Sequence, residues 1–216
     1  SHRRLVTEAG RAAGIRTLAV EYRLAPEHPF PAAHDDARKA WDWLLAQGYA
    51  AGCIAVGGDS AGGGLTVALM NHLRDEGQLL PACGWLISPR TDLAMTGASL
   101  ATKDAADPLI HKAYLEELAT AFVPASIART DARVSVLYAD LRGLPPLLIQ
   151  VGSDETLLDD SVRLAGAAGA ADVAVTLEIW PHMIHAFPLW NAQLADARTA
   201  LAHAGEFMRA HGRTTP

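Results

Sequence analysis

Short apolar runs alternate with stretches of helical periodicity along almost the whole chain. Runs at 17–22, 53–57, 84–88, 146–151 and 173–179 predict strands. Between them, apolar residues recur three and four positions apart and predict helices at 2–13, 31–47, 61–75, 159–169 and 193–210. In the second helix, Pro31 stands at the first turn, Asp35 and Asp36 follow, and Ala33, Ala37, Ala40, Trp41 and Leu44 form one stripe. Trp41 and its neighbour Trp43 read as packing surface rather than as a ligand site. Strand and helix in strict alternation predict an α/β domain over 1–216, a parallel sheet wrapped by helices. The run 173–179 alternates Val173, Val175, Leu177 and Ile179 with Ala174, Thr176 and Glu178, the period of a strand near a sheet edge.

The stretch 91–140 breaks this rhythm. It lies between two strands and carries one amphipathic helix near 109–122, with Ile110, Tyr114, Leu115, Leu118 and Phe122 on one side. Excursions of that length within a compact domain are usually lids or binding loops, so 91–140 is expected to shape a substrate pocket.

Composition narrows the function. The 216 residues are 50% hydrophobic and 19% charged, which is the balance of a globular domain with a sizeable core. The net charge of −6 is spread without a basic stripe, so nucleic acid is not an expected partner. No uninterrupted apolar run approaches the ~20 residues of a membrane helix. The two cysteines, Cys53 and Cys83, stand singly in apolar stretches and read as small core residues, which fits a cytoplasmic protein. Met70, Met95, Met183 and Met208 read as core filler.

The most specific chemistry lies at Gly57-Gly58-Asp59-Ser60-Ala61-Gly62, directly after the apolar Ile54-Ala55-Val56 and before a helical stretch. A strand, a sharp turn and a helix hold a nucleophilic serine clear of the sheet at the positive end of the following helix. Small residues on both sides let the strained turn close. A serine nucleophile needs a base to accept its proton and an acid to orient that base. Asp154-Glu155 follow the strand ending at Val151, and His185 follows the strand ending at Ile179. Serine, acid and histidine therefore stand in that order at three strand ends, on the ligand-binding edge of a parallel sheet. His182 is the alternative base. His28 is expected to hydrogen-bond locally.

Two long motifs then point to a family. Tyr22-Arg23-Leu24-Ala25-Pro26-Glu27-His28-Pro29-Phe30-Pro31-Ala32-Ala33, followed by Gly58-Asp59-Ser60-Ala61-Gly62-Gly63, resembles the bacterial hormone-sensitive-lipase-like esterases, family IV of the α/β-hydrolase fold. Leu144-Pro145-Pro146-Leu147-Leu148-Ile149-Gln150-Val151-Gly152 and His185-Ala186-Phe187 match as well, so the resemblance runs from about 2 to 210. It implies a carboxylic-ester hydrolase for short acyl chains, with neither metal nor organic cofactor. The family's acid motif, Asp-Pro-Leu-x-Asp, aligns without a gap on Glu155-Thr156-Leu157-Leu158-Asp159, which favours Glu155 over Asp154. Asp159 and Asp160 then fall at the start of the next helix. The resemblance also assigns an oxyanion donor to the N–H of Ala61 and places Asp59 beside the substrate. Its His-Gly-Gly-Gly segment, source of further oxyanion donors, has no counterpart here. That gap predicts a chain that is part of a longer polypeptide, lacking the family's first strands and the N-terminal part of its cap.

Two alternatives stay open at this level. Acyl-transfer chemistry does not fix the leaving group, so an amidase or deacetylase could use the same residues. A non-catalytic ligand-binding protein is the other, since plant gibberellin receptors resemble these esterases but lack the histidine that His185 supplies here. A homodimer through the edge strand 173–179 and the last helix is a family-level expectation compatible with either.

Overall fold

A computed structural model of the chain describes residues 2–212. Four parallel strands form its sheet, in chain order: β1 (Ala55–Asp59), β2 (Cys83–Ile87), β3 (Leu147–Gly152) and β4 (Val175–Trp180). The register sets Asp59 opposite Ile87, Ile87 opposite Gln150, and Gly152 opposite Trp180. All four C-terminal ends therefore open on one edge, where parallel sheets place their ligands.

The inner strands β2 and β3 are buried at every position, as expected of a sheet covered on both faces. Successive side chains of β3 point to opposite layers. Leu147 and Ile149 join Val67 and Met70 of α3 (Ala61–Asp75) and Leu164 of α6 (Leu158–Ala170). Leu148 joins Leu5 and Ala9 of α1 (Arg3–Ala13) and Leu201 and Met208 of α7 (Ala195–His211). The sheet is thus sandwiched between α3 and α6 on one side and α1 and α7 on the other. Helix α2 (Ala32–Ala46) packs outside α3 through Trp41, Leu69 and Leu73. Gln150, fully buried in β3, accepts from the Trp85 indole at 2.9 Å and donates to Glu178 and to the Ala200 carbonyl, both at 2.8 Å, so no part of its amide is left without a partner.

The excursion 91–140 contains a single turn of helix, α4 (Ser99–Thr102), and the longer α5 (Lys112–Phe122). Before it, Arg23 grips Asp36 through two guanidinium nitrogens at 2.8 Å and reaches the Ala32 carbonyl at 3.3 Å. The long motif from Tyr22 to Ala33 is therefore folded back on the start of α2. These bonds hold the Asp36 carboxyl well below the usual carboxylate range.

Two expectations need correction. The run 17–22 forms no strand: β1 pairs only with β2, and no strand among the described residues pairs with this segment. An apolar run without a hydrogen-bonding neighbour cannot become part of a sheet, and Leu18 and Val20 stay more than 40% exposed. Trp43 faces solvent, unlike Trp41, because helix positions two apart point about 200° apart, on nearly opposite faces. The strand near a sheet edge that the alternation of 173–179 predicts is β4, at the end of the sheet, with Ile179 46% exposed.

Candidate active site

Ser60 links β1 to α3 with φ 53° and ψ −119°, a left-handed region that a non-glycine residue occupies at a cost of about 1–2 kcal/mol. Hydrogen bonds hold it there. Its N–H donates to the Ile87 carbonyl at 2.9 Å, and its own carbonyl accepts from Gly63 at 3.0 Å and Arg90 at 2.9 Å. A Cβ on Gly58 would sit far inside contact distance of the Gly62 backbone, so only glycine allows the strand and the helix to meet this closely. The serine is half-buried and Ala61, the first residue of α3, is exposed. The Ala61 N–H has no partner within the helix, so it is a free donor at the positive helix end.

Glu155 follows β3 and is fully buried. One oxygen, Oε2, accepts from the Ser88 hydroxyl at 2.8 Å and from the Gly152 N–H at 2.9 Å. The other, Oε1, lies 3.3 Å from Nδ1 of His185, itself only 5% exposed. His185 stands on the loop after β4, and that loop is tied to the end of β3. Asp154 N–H donates to the Met183 carbonyl at 3.0 Å, and His182 N–H donates to the Ser153 hydroxyl at 2.8 Å. Gly152 lies so close to Met183 that a side chain there would collide with its carbonyl. Phe187, fully buried against Trp180 with ring centroids 5.5 Å apart, anchors the far end of the loop.

The structure brings Glu155 and His185 together and leaves Asp154 apart. The Asp154 carboxylate faces Lys103 and His182, each at 3.6 Å, and the His182 side chain is 90% exposed. His28 is exposed, with its N–H on the Leu24 carbonyl at 2.8 Å. Asp59 has its Oδ2 3.0 Å from His2 Nε2. The Tyr22 hydroxyl, close to Gly62, is raised above its ordinary pKa by burial and secondarily by the charge of Asp59. Cys83 is no rival nucleophile, because burial pushes its thiol up to about 11. Among the described residues no cluster of His, Cys, Asp and Glu suits a metal ion. A cavity of about 610 Å³ lies between α2 and α3, lined by Phe30, His34, Leu65 and Asn71 among others, but Ser60, Glu155 and His185 are not on its walls.

Several polar residues around the site carry no sequence signal beyond being polar in apolar surroundings. Buried Asp107 accepts from the N–H of Thr156 at 2.9 Å, next to Glu155. The Ser99 hydroxyl donates to the Thr156 carbonyl at 2.6 Å, and Asp159 accepts from Ser99 N–H at 2.9 Å. Asp160 accepts from the N–H groups of Thr91 at 2.6 Å and Asp92 at 2.9 Å. The start of the excursion is thereby fastened to the turn that carries the acid. Asp159 and Asp160 do more than favour a helix end.

Burial raises the Asp160 carboxyl to about 6 from 3.8, against the opposing pull of those two N–H donors. The folded chain binds this proton more tightly than the unfolded one. Its stabilising contribution is therefore complete below about pH 4 and lost as pH rises through about 6. Asp160→Asn, which holds no titrating proton, should gain stability relative to the parent between pH 4 and 6.5. Thermal unfolding across that range checks this, and a constant difference in Tm would refute it.

A family model described as the alpha/beta hydrolase fold matches residues 1–189. An acetyl-hydrolase of Streptomyces hygroscopicus is 46% identical over 212 residues, 97% of this chain and 70% of that protein. The crystal structure of an esterase from the bacterial hormone-sensitive lipase family superposes with a TM-score of 0.96 at 45% identity, over 98% of this chain and 71% of the other. The structure of EstE5 soaked with p-nitrophenyl butyrate gives a TM-score of 0.94 at 42% identity, over 97% and 70%.

Proposed function

Because the chain belongs to the α/β-hydrolase fold family, among its hormone-sensitive-lipase-like serine esterases, we propose that it hydrolyses short-acyl esters through Ser60, His185 and Glu155. The observation that carries this reading is the buried Glu155–His185 pair, 3.3 Å apart, on the same sheet edge as the strained turn at Ser60. Glu155 accepts the Nδ1 proton of His185, which leaves Nε2 as the basic nitrogen. Ser60 Oγ attacks the ester carbonyl carbon as its proton passes to Nε2. The Ala61 N–H, at the start of α3, donates to the developing oxyanion. Collapse breaks the bond to the leaving alcohol, which takes the proton from Nε2. Water then gives a proton to Nε2, attacks the acyl carbon, and releases the carboxylic acid while Ser60 regains its hydrogen.

The acyl group is short on two grounds: the relative from S. hygroscopicus is an acetyl-hydrolase, and EstE5 was soaked with a butyrate ester. The excursion 91–140, anchored beside the acid, forms the wall against which that acyl group rests. A fluorophosphonate probe tests the reading directly. It should attach to Ser60 and abolish esterase activity in proportion to labelling; a folded sample that stays unlabelled would make the protein a binder rather than an enzyme.

A further inference from the structure

Ser88 stands immediately after β2, fully buried, where β1, β2 and β3 deliver their loops. Its hydroxyl makes two contacts that no other side chain among the described residues makes together. It gives its proton to Oε2 of Glu155 at 2.8 Å and accepts the N–H of Ala186 at 3.0 Å. One oxygen thus joins the acid to the backbone that immediately follows the base. Its backbone is also unusual: φ is +44°, in the region that glycine occupies without strain and serine does not. The Ser88 N–H is meanwhile fixed to the Gln150 carbonyl at 2.8 Å, so the residue cannot swing away. A serine is held in a glycine conformation, and the hydroxyl is what glycine lacks.

We propose that Ser88 is a positioning residue of the hydrolytic site, a strut that sets the Glu155 carboxylate and the His185–Ala186 backbone in one frame. The inference rests on the Ser60–His185–Glu155 relay of the preceding section. Without the hydroxyl, Glu155 keeps one donor on Oε2 and the buried Ala186 N–H loses its acceptor. The imidazole then samples orientations in which Nε2 does not face the nucleophile. Hydrogen bonds to charged groups of this kind correspond to about 10- to 100-fold in rate.

Three variants in the full chain test this, with p-nitrophenyl butyrate as substrate and thermal unfolding measured in parallel. Ser88→Ala and Ser88→Gly should both lower kcat by about 10- to 100-fold while KM changes by less than about threefold. Ser88→Gly relieves the backbone strain, so its Tm should be no lower than that of Ser88→Ala. Ser88→Cys, which keeps a weak donor and acceptor, should recover part of kcat. Wild-type kcat in Ser88→Gly would overturn the proposal, as would a loss of kcat that merely follows the loss of Tm. Glu155→Gln serves as the reference. If it retains turnover, the relay itself is wrong; if it loses turnover while Ser88→Gly does not, only the role of Ser88 falls.

Discussion

Ser60→Ala is expected to lower kcat for p-nitrophenyl butyrate by about 10⁶-fold in the full-length protein, leaving the far-ultraviolet circular dichroism unchanged. Neither Cys83 nor Ser88 can replace the serine oxygen. Cys83 begins β2, at the far end of the strand from this edge, and is buried with its thiol at about 11; the Ser88 hydroxyl spends its only proton on Glu155. Alanine also suits the local packing, because the turn is closed by Gly58 and Gly62 rather than by the serine side chain. Turnover within tenfold of the parent would move the nucleophile elsewhere.

The second large effect separates the two adjacent acids. Glu155→Ala should reduce kcat by about 10⁴-fold, the cost of losing the group that orients a catalytic histidine. Asp154→Ala should change it by less than about threefold. Its carboxylate is 32% exposed and faces a lysine and an exposed histidine, contacts that contribute about 0–1 kcal/mol in water. Parallel measurements of kcat at neutral pH decide between them. A reversed ranking would transfer the orienting role one residue back along the chain.

Much of this was legible before any coordinates. The glycine spacing around Ser60 marked the turn because a steric demand is local, and helix α3 begins and ends where periodicity placed it. Glu155 and His185 could be placed just after apolar runs because where such a run stops is also legible locally. What escaped depends on partners distant in sequence. The run 17–22 has the composition of a strand, but pairing is decided by what lies alongside it. Ser88 and Glu155 are 67 residues apart, and nothing near Ser88 in the chain announces a carboxylate above it. Asp107 reads as an ordinary loop aspartate until its bond to Thr156 is seen.

The fastening of residues 91–107 to the turn at 155–160 has a consequence for how specificity can diversify on this scaffold. Asp107, Ser99 and the Thr91–Asp92 amides grip the same short turn that presents the acid. Under the proposed relay, remodelling that first third of the excursion to suit a bulkier acyl chain would therefore disturb proton transfer as well as pocket shape. The segment after α5 belongs to the same clamp: the Leu137 N–H donates to the Thr91 carbonyl at 3.1 Å and the Tyr138 hydroxyl to Asp92 at 3.0 Å. Selection for new substrates has its freest material on the exposed face of α5, with the clamp inherited as one block.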